Sequence, residues 1–202
     1  MWQNAGSSDT GGDVDVDDER NENKKQALVP PNGFKGICIN APGIIGDLPP
    51  LPILWFLKYI LKPLMPEQTP FFMPHPITPD RIWKDEEVRK YYASEESRRL
   101  ALNAGGIPFC LGTAAGLVDA LEEVRTGVIP GFNVPFSVCH GTDDWGVKLE
   151  GTEYLVDKCD TKNEDRAVNI VEGAYHDLLA DPSRNEVIDF HIKFIESRLG
   201  VL

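Results

Sequence analysis

The chain has 202 residues, 42% of them hydrophobic, which is enough for one globular domain with a sizeable core. Its formal net charge of −12 argues against unaided binding to nucleic acid or anionic lipid, because both would be repelled by an acidic surface. Cys38, Cys110, Cys139 and Cys159 are widely spaced, with no CxxC pair and no clustered histidine, which points to reduced thiols in the cytoplasm and away from a zinc site or a disulfide framework.

The first twelve residues, MWQNAGSSDTGG, lack both the basic and apolar parts of a secretion signal and the Arg-rich pattern of a transit peptide. Gly11 to Glu22 packs acidic residues among Gly and polar residues, so residues 1–32 read as a disordered acidic segment with too little apolar content to offset the entropy of ordering. Residues 33–202 form the folded domain. Within it, Phe34 to Ala41 is a short apolar run closed by Pro42, the signature of a buried strand. Pro50 to Met65 places Lys58 and Lys62 four apart with a broad apolar face opposite. It is too short and too charged to span a bilayer, and two readings stay open: a helix packed on the core, or a lid over an acyl pocket that also touches a lipid interface. A Pro-rich loop from Pro66 to Pro79 follows, then a charged helix from Asp85 to Asn103 and a helix from Thr113 to Arg125. Asn133 to His140 and Ala167 to Glu172 are two further apolar strands, each ending in glycine, with helices over Glu150–Cys159 and Asn185–Leu199 after them. In the last helix Val187, Ile188, Phe190, Ile192, Phe194 and Ile195 are expected to supply the inner face. Apolar strands separated by helices predict an α/β fold with a parallel sheet, whose active sites sit at the carboxyl ends of the strands.

Two strand-end segments carry the chemistry: His140-Gly141-Thr142-Asp143-Asp144 and Glu172-Gly173-Ala174-Tyr175-His176-Asp177. Alone, an acidic residue past a strand is usually a turn former or cap, and a loop histidine is usually just polar. Together they say more, because adjacent parallel strands place their following loops side by side. A carboxylate that accepts from imidazole Nδ1–H fixes the tautomer and stabilises the imidazolium formed when Nε2 takes a proton. Asp before His is also the chain order of the α/β-hydrolases. His140 is read as structural, Asp143 as a cap or orienter of its neighbour, and Asp177 as a backbone hydrogen-bond partner near His176. His75 has no evident partner. Trp55, Phe56, Phe71, Phe72 and Trp83 either fill a core or line an acyl pocket.

From about Phe34 to Leu199 the chain resembles the monoacylglycerol lipase-like, serine aminopeptidase S33 branch of the α/β-hydrolases. HGTDD looks like that family's HGxxD, which maps the catalytic acid onto Asp144 rather than Asp143. WGVKLEGTEYL is similar to the loop and helix that follow, and VEGAYHDLLAD to the histidine turn, mapping the base onto His176. GFKGICINAPGI looks like the strand after the nucleophile helix, and residues 48–130 would be the lid or cap. The resemblance implies the C-terminal portion of an α/β-hydrolase fold, a small-molecule acyl ester or lipid substrate such as a monoacylglycerol or lysophospholipid, and no metal or organic cofactor. It also implies peripheral membrane contact through the lid.

The sequence departs from this pattern in one respect: it contains no GxSxG nucleophile elbow. Ser8 has Gly6 two before it but Thr10 where the second glycine is needed, and no apolar strand precedes it. The expectation is therefore a truncated hydrolase whose serine lies upstream, inactive as this chain, with an exposed strand edge that promotes self-association. The alternatives are a non-catalytic pseudo-hydrolase acting as a binding or scaffold protein, and an α/β domain in which HGTDD and AYHD are coincidental.

Overall fold

A computed structural model describes residues 33–46, 48–69, 78–99 and 109–201. The expected acidic segment 1–32 lies outside them. Three parallel strands, β1 (Ile37–Asn40), β2 (Phe136–Gly141) and β3 (Arg166–Val171), form a sheet in that order. The register pairs Ile37 with Phe136 and Phe136 with Arg166, and runs on to Gly141 opposite Val171.

The central strand β2 is buried at every position, and the two-residue period of a strand divides its side chains between two cores. Phe136 and Val138 pack with Ile44, Ile129, Leu155 and Cys159 on one face. On the other, Cys139 packs with Val171, Ala174, Leu178 and Val187. Burying each of the large apolar side chains contributes about 1.5–3 kcal/mol, so the sheet ends bearing HGTDD and AYHD are anchored from both sides. The first face is covered by α7 (Leu149–Lys158) and the second by α8 (Arg184–Leu199). A polar chain crosses the second face: Ser137 Oγ lies 2.7 Å from His191 Nδ1, and His191 Nε2 lies 3.0 Å from Asn40 Oδ1. It ties α8 to both β1 and β2.

Between β1 and β2 the described residues contain a series of helices. α1 (Leu51–Phe56) passes through a π-helical turn, Leu57–Leu61, into α2 (Lys62–Leu64). Pro63 has no N–H to offer the turn before it, and its ring crowds a carbonyl there; widening the helix relieves both problems. Then come α3 (Pro79–Ile82), α4 (Glu86–Ala93), α5 (Glu95–Arg99) and α6 (Leu111–Glu123).

Two sequence expectations are corrected here, and the choice left open for Pro50 to Met65 is narrowed. The single charged helix from Asp85 is two helices, because Ser94 turns to an extended conformation and its hydroxyl accepts from Ser97 N–H at 3.1 Å, capping a new helix. The apolar face of α1 does not pack on the core. Lys58 instead pairs with Asp119 of α6, while Leu51, Trp55 and Leu64 are respectively 80%, 57% and 73% exposed. In α8 the sheet-facing stripe is Val187, Phe190, His191 and Phe194, whereas Ile188, Ile192 and Ile195 are exposed. The 3.6-residue period assigns these isoleucines to a neighbouring stripe. Among the described residues, no helix is long and apolar enough to cross a membrane.

Candidate active site

The site is built where β2 and β3 end together. Beyond the last pair, Gly141 and Val171, the two loops remain bonded. Thr142 N–H donates to Val171 O at 3.1 Å, Asp143 N–H to Ala174 O at 3.1 Å, and Gly173 N–H to Thr142 Oγ1 at 2.7 Å. Glycine is required at 141: a Cβ there would stand 2.1 Å from Ala174 O and 2.9 Å from Tyr175 O. Only a hydrogen atom lets the second loop lie this close.

That closeness brings Asp144 and His176 together across 32 residues of sequence. The Asp144 side chain is 1% exposed. Its Oδ1 accepts N–H bonds from Gly146 at 2.6 Å and Val147 at 3.0 Å, and its Oδ2 lies 2.9 Å from His176 Nδ1. Burial alone would raise this carboxyl. The nearby His140 ring, the hydrogen bonds from His176 and Val147 N–H, and the charge of His176 outweigh it and hold Asp144 well below the usual carboxylate range.

His176 is one-third exposed. Its hydrogen bond to Asp144 raises the imidazole pKa, partial burial opposes this, and the charges of Asp144 and Asp177 add to the rise. Gly146 packs flat on the ring, since a Cβ there would fall 3.0 Å from His176 Cγ. The histidine turn is held from beneath by Asp181, which accepts Tyr175 N–H at 3.1 Å and Ser183 N–H at 2.9 Å. An imidazole tied at Nδ1 to an ionised carboxylate keeps Nε2 as its remaining nitrogen. Such a ring can take a proton there and be stabilised as it becomes charged.

His140, expected to be structural, is fully buried, and Thr152 Oγ1 lies 2.6 Å from its Nδ1. Its Nε2 also lies 3.2 Å from Asp144 Oδ2. The angle of approach there does not make a good hydrogen bond, so Nε2 is left without one. We take the contact as close electrostatic packing, which makes His140 a second neighbour of the acid. The four-residue spacing in HGTDD was the signal for it. The Asp143 carboxylate accepts from Thr142 Oγ1 at 3.3 Å. Asp177 is expected from the sequence to hydrogen-bond backbone near His176; among the described residues its carboxylate instead accepts from Trp83 Nε1 at 2.7 Å. Trp83 itself is buried, whereas Trp55 and Phe56 are exposed. Ser8, Phe71, Phe72 and His75 lie outside the described residues. Among the described residues, no serine hydroxyl bonds His176 and no group of three or more His, Cys, Asp or Glu is arranged to hold a metal ion.

The family model of serine aminopeptidase, S33, matches residues 25–183. Among solved structures, the monoacylglycerol lipase of Paleococcus ferrophilus superposes with a TM-score of 0.62 at 17% identity, over 83% of this chain and 61% of that one. A soluble variant of the monoglyceride lipase of Saccharomyces cerevisiae, in complex with a substrate analogue, does so with a TM-score of 0.58 at 15% identity, over 81% and 56%. The chain thus spans about three fifths of the length of these structures. At such identities the likeness establishes the fold: a parallel sheet with flanking helices, as in the α/β-hydrolases.

Proposed function

Because the chain belongs to the serine aminopeptidase S33 family, we propose that it supplies the acid and the base of a serine-hydrolase triad acting on carboxylic esters. Asp144 orients and His176 is general base and then general acid. In the first half-reaction His176 Nε2 accepts the serine proton as the hydroxyl attacks the ester carbonyl. It then returns that proton to the leaving alkoxide as the tetrahedral intermediate collapses to an acyl-enzyme. Water, deprotonated by the same nitrogen, releases the acid. Asp144 keeps its charge throughout and stabilises the transient imidazolium. The single observation behind this reading is the 2.9 Å contact between His176 Nδ1 and a buried carboxylate already anchored by two backbone N–H groups.

The substrate class we propose is a monoacylglycerol- or lysophospholipid-like ester. The helical segment 48–130 would act as its lid, and the exposed apolar side of α1 supports contact with a lipid surface. The four unpaired cysteines support a reducing, cytoplasmic setting. A second reading, a non-catalytic binding or scaffold protein, is favoured by the absence of GxSxG from all 202 residues.

The readings separate on one experiment. The reading frame upstream of Met1 is sequenced for a strand followed by GxSxG, and a chain that includes it is treated with a fluorophosphonate. Our reading expects one labelled serine, with labelling abolished by His176→Ala. Unchanged labelling in that variant removes His176 from the mechanism, and an upstream stop codon or unrelated sequence favours the non-catalytic reading. Labelling of Ser8 in the 202-residue chain would place the nucleophile within residues 1–32.

A further inference from the structure

The turn that carries His176 is gripped from outside its own loop by three consecutive residues at the end of α3. Ile82 O accepts from Asp177 N–H at 3.2 Å, Trp83 Nε1 donates to Asp177 Oδ2 at 2.7 Å, and Lys84 Nζ donates to Gly173 O at 2.7 Å. The grip is itself braced. Trp83 is 7% exposed and stacks on Tyr92 of α4 with ring centroids 4.1 Å apart and planes 2° from parallel. A buried indole N–H needs an acceptor, and here that acceptor is the carboxylate next to the histidine. From this arrangement we infer that the tripeptide Ile82-Trp83-Lys84 is a clamp from the helical segment that sets the position of His176, with Trp83 and Asp177 as its positioning residues. The inference rests on the proposed Asp144–His176 pair and extends it.

The physical reasoning is short. The imidazole must hold its Nδ1–H on Asp144 while its exposed edge is open to water, and its loop is tied to Thr142 and Asp143 at Gly173 and Ala174 and to Asp181 at Tyr175, all at residues before the histidine. Bonds at Gly173 and Asp177 bracket the histidine on both sides and fix the stretch of backbone from which its ring projects. The clamp belongs to α3 and the residues after it, so any movement of that helical segment away from the sheet would release the histidine turn.

The test uses the full 202-residue chain labelled with nitrogen-15. An imidazole N–H held against a carboxylate and shielded from water gives a far-downfield proton resonance, expected here for His176 and lost in Asp144→Asn. Trp83→Phe keeps the stack on Tyr92 but removes the donor. Asp177→Ala removes the acceptor, and Asp177→Asn keeps an acceptor oxygen while removing the charge. The clamp expects exchange of the His176 Nδ1–H with water to rise by at least about tenfold in Trp83→Phe and Asp177→Ala, with Asp177→Asn staying near the parent. A downfield signal equally protected in both disruptive variants overturns the clamp and leaves the acid–base pair standing. If Asp177→Asn behaves as Asp177→Ala, charge and not the Trp83 bond is responsible, and the clamp is likewise overturned. If the parent chain shows no such resonance, the Asp144–His176 pair itself falls. Asp177 is only partly buried, so its two variants remain informative even if Trp83→Phe does not fold.

Discussion

Replacing Gly141 by alanine tests the contact between the two strand-end loops most directly. The added Cβ would sit 2.1 Å from Ala174 O, 2.5 Å from Ala174 C and 2.9 Å from Tyr175 O, and all three atoms are backbone, with no side chain to rotate away. The loops must therefore part by roughly 1 Å, enough to break the Asp143 N–H bond to Ala174 O and to draw the Asp144–His176 contact out of hydrogen-bonding range. Overpacking of this kind costs about 1–3 kcal/mol, and the lost hydrogen bonds add about 1 kcal/mol each. A total of about 3–5 kcal/mol corresponds to a fall in Tm of roughly 6–20 °C for a chain of this size. Differential scanning calorimetry measures the fall, and nuclear magnetic resonance titration of His176 should show its pKa dropping as the Asp144 bond is lost. Gly116→Ala is the control. That glycine is exposed in α6 with nothing within 4 Å of a Cβ, so alanine there should add about 0.5–1 kcal/mol of stability. A Gly141→Ala protein that melts within about 2 °C of the parent, with His176 titrating as before, would refute the account of how the loops are held together.

Asp144→Asn should lower the His176 pKa, because the largest contribution to its rise is the hydrogen bond it donates to that carboxylate; an unchanged titration curve would count against the pairing. The pH dependence of stability has opposite signs at the two histidines. His176, raised in the folded state, contributes stability that is complete below about pH 6.5 and is lost as pH rises through its folded pKa. His191, lowered by burial, contributes stability that is present above about pH 6.5 and lost as pH falls through its folded pKa. Urea unfolding across pH 5–9 should therefore show His191→Gln flattening the acid side only and His176→Gln the alkaline side only, and the reverse assignment would be a clear failure. Ile188, Ile192 and Ile195 expose a continuous apolar stripe along α8, so Ile192→Glu should shift a self-associating chain toward monomer on size-exclusion chromatography. A parent chain that is already monomeric at high concentration would remove the expectation of self-association.

The strands and most of the helices were legible because burial leaves a one-dimensional trace: apolar runs closed by Gly or Pro, and apolar positions repeating every three or four residues. Asp144 and His176 were legible for a related reason, since residues just past the ends of neighbouring parallel strands must be neighbours too. Direction was harder to read. The period of α8 was plain, yet which of two adjacent apolar stripes faces the sheet depends on how the helix is rotated, and here His191 is turned inward by its bonds to Ser137 and Asn40. The same holds for α1 and the π-helical turn after it, where the pairing of Lys58 with Asp119 turns the charged side toward α6 and the apolar side outward.

What the linear chain determined by itself was the class of fold, the order of its elements and the pair of residues proposed as acid and base, because these depend on local composition and on chain order. What only the tertiary structure decided were the contacts between distant segments: Gly141 against Ala174, and Trp83 reaching Asp177 across 94 residues. No local pattern encodes such contacts, since each depends on two surfaces whose relative placement is set by packing of the whole domain.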